Sequence, residues 1–382
     1  MLLITISCGL FDVFYIIEKI LKYQREKIMK NTNVSFVRLG DSKPLSKEKE
    51  ILIRREFNQV FSQARKNTKQ DVCYYCGEKC TSFCNSHSIP QFALNKIADA
   101  GMVFSFLEKS VNPLGDKIGV KKTGTFQLIC QRCDNTIFSN YEDPKGYFNT
   151  PSKIMLSQIA TKNYLHLLWK TILANEIYKL DVKQYYCVAE EKLFWGKKDL
   201  NAYSKEYLFA KHSLVKEDNS YYVCFFEELN YIIPYASQAA ITLVGDLEDN
   251  LINDVYNSDP NYETSHIHIM VLPLEDTSVA LAFIKDGDKK YKRFYKQLRK
   301  LPLNEQLATI NYILFSNTEN IFMNPTVAEK FMNDESLLDV CRKTCDYVAT
   351  PFYVDPIGKA IKEFSLSQRN SIPNFLSQEF AL

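Results

Sequence analysis

The chain carries no surplus of either charge. Its 47 Lys and Arg stand against 45 Asp and Glu, a formal net charge of +2 with a pI near 7.9. A dedicated nucleic-acid coat is clearly basic, so this balance excludes that class and confines any polynucleotide contact to a local patch. Glycine and proline are scarce too, 12 and 13 in 382 residues, which argues against long disordered linkers. No repeat or low-complexity run appears. The apolar opening LLITISCGLFDVFYII lacks the basic residues before it and the small-residue cleavage site after it that a secretory signal requires. Asp12 interrupts that run and leaves it too short and polar for an ordinary spanning helix. Residues 1–28 keep three readings: an amphipathic docking helix, a weak membrane anchor, or an extension upstream of a start at Met29. With no export signal, the 11 cysteines point to a reducing, cytoplasmic setting where thiols persist or bind metal.

What is present is ample apolar material, 46% of the chain with 25 Phe and 23 Tyr. That suffices for one large or two moderate domains. The most informative stretch holds two Cys-x2-Cys knuckles, Cys73/Cys76 and Cys130/Cys133, with His87 between them. Two such turns supply four thiolates in pairs, the ligand set of a closed tetrahedral zinc site. Gly77, directly after Cys76, suits the tight turn. The alternative is four free thiols packed as small hydrophobes. Cys80 and Cys84 exceed what one ion needs and are read as structural. A basic stretch from Lys43 to Lys69 leads into the first knuckle, either a phosphate-binding arm or a solvated helix face.

The order Cys-x2-Cys, then His87-Ser88-Ile89-Pro90, then Leu128-Ile129-Cys130-Gln131-Arg132-Cys133 resembles the HNH nuclease module over residues 70–145. It looks closest to a loose group of bacterial HNH-like proteins with Ser-His-x-x-Pro and a following Cys-Asp-Asn. The resemblance implies an α+β protein opened by a zinc-binding treble-clef (ββα-metal) finger. It implies structural Zn2+ on Cys73, Cys76, Cys130 and Cys133, and His87 as the general base that activates water. It also implies a catalytic Mg2+ or Mn2+ near Asp134 or Asn135, whose hard oxygens suit such ions. Three positions depart from the family pattern. Ser86 stands where an acidic metal ligand is frequent, Thr125 where an asparagine is, and Asp134-Asn135 where the last ligand usually follows the second knuckle. Glu142 is a further candidate, with a surface residue as the favoured reading.

The expected organisation is an N-terminal extension and basic helix (1–69), the finger module (70–149), a larger mixed α+β domain of unknown role (150–364) and a polar, loosely packed tail (365–382). Thr150-Pro151 opens a long helix on which His166 is a core or boundary residue. A second helical tract covers 189–212, and strands fill 219–285. HIHIMVLPL and SVALAFIK are read as an antiparallel hairpin with His266 and His268 on a partly exposed face. Two functions follow. One is a metal-dependent nuclease acting on nucleic acid, DNA in the first place, with a protein partner on the C-terminal region and no membrane role. The other is a zinc-stapled module that binds nucleic acid or protein without cleaving.

Overall fold

A computed structural model describes residues 55, 59–105, 117–147, 151–181, 186–216, 219–345 and 355–382. The expectations for 1–28 and for most of the basic stretch lie outside the described residues. The architecture is mixed α+β. Its centre is a seven-stranded antiparallel sheet in the order β3-β2-β9-β6-β7-β8-β5. The strands are β2 (Met102–Phe104), β3 (Lys117–Gly119), β5 (Tyr221–Leu229), β6 (Tyr235–Ile241), β7 (Ile267–Pro273), β8 (Ser278–Lys285) and β9 (Ile321–Met323). A separate two-stranded sheet joins β1 (Ser86–His87) to β4 (Thr125–Phe126), with His87 opposite Thr125.

The predicted hairpin is β7–β8, in register from Ile267↔Ile284 to Pro273↔Ser278. Its side chains alternate between two separately packed faces, as the pleat requires. Ile267, Ile269 and Val271 face one core with helices α6 (Leu303–Asn317) and α8 (Glu335–Arg342). Met270, Leu272, Leu281 and Phe283 face the other, with α3 (Lys153–Asp181) and α4 (Tyr186–Lys216). Both faces of the central strands are therefore covered. His266 and His268 are buried, so the partly exposed face expected for them is corrected: α3 lies over it. Further helices among the described residues are α1 (Gln91–Ile97), α2 (Gln131–Ile137), α5 (Lys292–Leu298), α7 (Pro325–Ala328) and α9 (Pro356–Glu363). Asn324 caps α7 by accepting from the Val327 N–H, as Asn-Pro at a helix start should.

Two boundaries expected from sequence do not separate units. Strands β2 and β3 arise inside 70–149 yet extend the large sheet, Phe104 pairing with Met323 of β9. Ile89, Leu94, Phe126 and Phe138 share one core with Leu156, Leu165 and Met270. Polar ties cross the same seam. Ser88 Oγ donates to Asn320 Oδ1 at 2.8 Å, and Asn324 Nδ2 donates to the Ile97 carbonyl at 3.0 Å. The tail also departs from expectation. Leu366, Ile372, Phe375 and Leu376 are buried in the far-face core, and the Leu382 N–H donates to the Ile232 carbonyl. Its polar composition hid four apolar anchors at irregular spacing. Among the described residues no helix is long and apolar enough to cross a membrane.

Candidate metal centre and its polar neighbour

The sulfur atoms of Cys73, Cys76, Cys130 and Cys133 all lie within 4.8 Å of one another. Local structure explains why. The first knuckle is a tight hairpin: the Gly77 N–H donates to the Cys73 carbonyl, and the Cys73 N–H to the Glu78 carbonyl, both at 2.9 Å. Gly77 has φ +74°, the left-handed region open to glycine. Between the cysteines, Tyr74 packs edge-on against Tyr207 of α4, ring centroids 5.2 Å apart, and the Lys211 ammonium sits over the Tyr75 ring. The second knuckle begins as the residue before α2, and the Cys130 N–H points at Cys73 Sγ, 3.3 Å away. Four cysteine sulfurs are the donor set that tetrahedral zinc takes. Four closely spaced cysteines of this kind could hold a metal such as zinc.

Cys80 and Cys84 do not belong to that cluster. Cys84 donates its S–H to Asp134 Oδ2 at 3.2 Å. Burial, then the neighbouring Asp134 carboxylate, push its pKa up to about 12, so it stays a thiol.

Beside the knuckles lies a second, oxygen-rich cluster. Asp134, on the first turn of α2, accepts from Ser86 Oγ at 2.5 Å and from the Lys162 ammonium at 3.1 Å. Lys162 comes from α3 and is wholly buried. It also donates to Ser86 Oγ at 2.9 Å and to Glu142 Oε1 at 3.1 Å, and it sits 3.7 Å from the Phe138 ring centre. Burial raises the Asp134 pKa, but the ammonium and the hydrogen bonds from Ser86 and Cys84 outweigh it and hold the carboxyl below its usual range.

His87 is next to this cluster on β1. Its Nε2 lies 3.1 Å from the Val120 carbonyl. A carbonyl can only accept, so Nε2 carries the hydrogen and Nδ1 of the neutral ring keeps its lone pair. Burial lowers the pKa of His87, the carbonyl bond opposing it, so the ring is neutral near pH 7. Val120 is followed by exposed Lys121 and Lys122. Gly124, at φ +59°, closes the turn back to β4; a Cβ there would meet Ser88 Oγ at 2.6 Å.

The candidates named from sequence therefore divide. The four cysteines come together, and His87 and Asp134 sit in one neighbourhood with Glu142. Asn135 does not join them: it is exposed, and its Oδ1 accepts from Gln131 Nε2 at 2.8 Å along the outer face of α2. His166 packs against Phe126 and is a boundary residue as expected. Sequence reasoning missed Lys162. A signal was present, because Lys162 stands three residues after Ile159 and three before Leu165, on the apolar stripe of α3. No family profile, curated protein or solved structure matches the chain.

Proposed function

We propose that residues 70–147 form an HNH-like treble-clef finger, held by structural zinc on Cys73, Cys76, Cys130 and Cys133, that hydrolyses phosphodiester bonds of nucleic acid with His87 as general base. The observation that carries the reading is the state of His87. Its Nε2–H is anchored on a carbonyl, its Nδ1 is left as an acceptor, and burial keeps the ring unprotonated near neutrality. Exposed Lys121 and Lys122 directly follow the residue that anchors the ring, where they can meet a phosphate backbone. The strand pair β1–β4 followed by α2 supports the finger assignment. In this reading zinc supplies shape only, since four thiolates leave it no open position. His87 takes the proton of the attacking water, and Lys121 and Lys122 bind the flanking phosphates.

A second reading is favoured by a specific observation. Both Asp134 oxygens are already engaged and Asn135 faces outward, so neither stands ready for Mg2+ or Mn2+. A zinc-stapled module that binds nucleic acid or protein without cleaving fits that arrangement. The test is cleavage of plasmid and single-stranded DNA by zinc-loaded wild type and His87→Ala. Nicking that disappears in the variant while zinc stays bound supports the first reading. Equal activity in both, or none in the wild type across metals, sinks it.

A further inference from the structure

We propose that the Lys162 ammonium is a resident cation: it fills the oxygen cluster of Ser86, Asp134 and Glu142 beside His87, so that a divalent ion has no place there unless Lys162 is removed. The idea rests on the site proposed around His87 and deepens its non-cleaving reading, because a fixed protein charge fills the place that an exchangeable catalytic metal would take.

The geometry is that of a coordinated cation. An ammonium has three hydrogens, and three oxygens, from β1, α2 and the turn that follows α2, stand at 2.9, 3.1 and 3.1 Å from Lys162 Nζ. The Phe138 ring covers a further side at 3.7 Å. The lysine side chain is 0% exposed, whereas those of Asp134 and Glu142 are 13% and 37% exposed. The charge is thus locked inside, and the carboxylates form the rim that solvent reaches. A magnesium or manganese ion would need the same oxygens at about 2.0–2.2 Å. It would then lie within a few ångströms of a buried positive charge, which repels it strongly in the low dielectric of a protein interior. Two carboxylates against one ammonium leave the cluster one negative charge. Without the ammonium it holds two, which matches a divalent ion, and the serine hydroxyl adds a third hard donor.

The test uses the full-length, zinc-loaded protein as wild type, Lys162→Ala, Lys162→Ala with Asp134→Asn, and Asp134→Asn alone. Mn2+ is the probe, read by electron paramagnetic resonance and by thermal melting. Wild type is expected to bind no Mn2+ that Asp134→Asn abolishes. Lys162→Ala is expected to take up Mn2+ at least about tenfold more tightly than wild type, to melt higher with it, and to lose both effects in the double variant. If Lys162→Ala does not fold unaided, it is refolded with and without Mn2+; folding recovered only with the ion supports the proposal, and no recovery overturns it. Wild-type Mn2+ binding that Asp134→Asn abolishes also overturns it, as does a folded Lys162→Ala protein indifferent to Mn2+. Absence of DNA cleavage in every sample would sink the phosphodiester reading and leave these metal readouts standing.

Discussion

One helix, α3, holds two polar clusters on opposite sides, and they are built on different principles. Toward the cysteine knuckles, Lys162 carries a full charge into the interior, met by Asp134 and Glu142. Toward the sheet, the next two residues, Asn163 and Tyr164, meet His268 and His266. Asn163 Nδ2 lies 3.1 Å from His268 Nδ1, Gln238 Nε2 donates to Asn163 Oδ1 at 2.9 Å, and Tyr164 Oη lies 3.4 Å from His266 Nδ1. This second cluster is neutral. Burial drives His268 well below its usual pKa and His266 to about 4. The charged cluster reaches solvent through its carboxylates, whereas the neutral one lies fully between α3, α4 and the sheet. A charge is tolerated at the margin, where counter-charges and solvent share its cost, and neutral hydrogen bonds serve the deep interior.

The largest expected effect removes the scaffold under the charged cluster. Cys73→Ser takes away one of four ligands and the sulfur that receives the Cys130 N–H. The variant should lose bound zinc and melt far below wild type, since structural zinc contributes folding energy outright. Metal analysis beside a thermal melt checks it. A variant that keeps both zinc and melting temperature would show that the four thiols merely pack.

Next comes the charge itself. Lys162→Met keeps the buried stem and removes the ammonium, leaving the Asp134 and Glu142 carboxylates without their countercharge. Breaking a buried pair from one side costs about 3–5 kcal/mol. Adding Asp134→Asn should recover part of that loss, because the leftover charge goes with it. Denaturant melts of both variants decide; an additive double variant would mean that the two groups act independently.

The neutral cluster should break with acid instead. A histidine whose folded pKa is depressed holds stability above its unfolded value, lost as pH falls through that value toward the folded one. For His266, falling from 6.5 to about 4, the loss between those pH values is on the order of 3 kcal/mol. His268 and His87 act in the same direction. Asp199 opposes them. Among the described residues neither of its oxygens has a hydrogen-bond partner, and burial raises its pKa from 3.8 to about 7, so its contribution is lost as pH rises through that window. Stability against pH measured in an Asp199→Asn background should therefore fall more steeply on the acid side than in wild type. Parallel curves would show that Asp199 is charged in the fold throughout.

The same contrast marks how much could be read from the residues in order. The knuckles were legible because two thiolate pairs are a local pattern with one geometric solution, and the structure brings their sulfurs together. The β7–β8 hairpin was legible from alternation and a short polar turn. Both polar clusters depend on long-range pairing. Lys162 meets Ser86 and Asp134 across 76 and 28 positions, and Asn163 meets His268 across 105. Spacing within one strand makes His266 and His268 look half exposed, because nothing local says that a helix will cover them. That residues 70–149 share a sheet and a core with the rest of the chain was hidden for a related reason. The three residues of β2 form too short a strand to stand out in sequence, yet they join the segment between the two knuckles to the large sheet.

The smallest expected effect tests where the margin of the charged cluster lies. Glu142 gives Lys162 one oxygen at 3.1 Å from a side chain that is 37% exposed. Water can therefore replace much of what the carboxylate provides, and solvent screening discounts the pair. Glu142→Gln keeps an oxygen that can accept from the ammonium and removes one charge of a cluster that holds an excess of one. Its cost should be about 1 kcal/mol or less, well below that of Lys162→Met, and it should shrink further in high salt. Urea melts at low and high ionic strength measure both. A loss as large as that of Lys162→Met would mean that Glu142, and not Asp134, neutralises the buried ammonium, and would move the centre of the cluster out to the solvent edge.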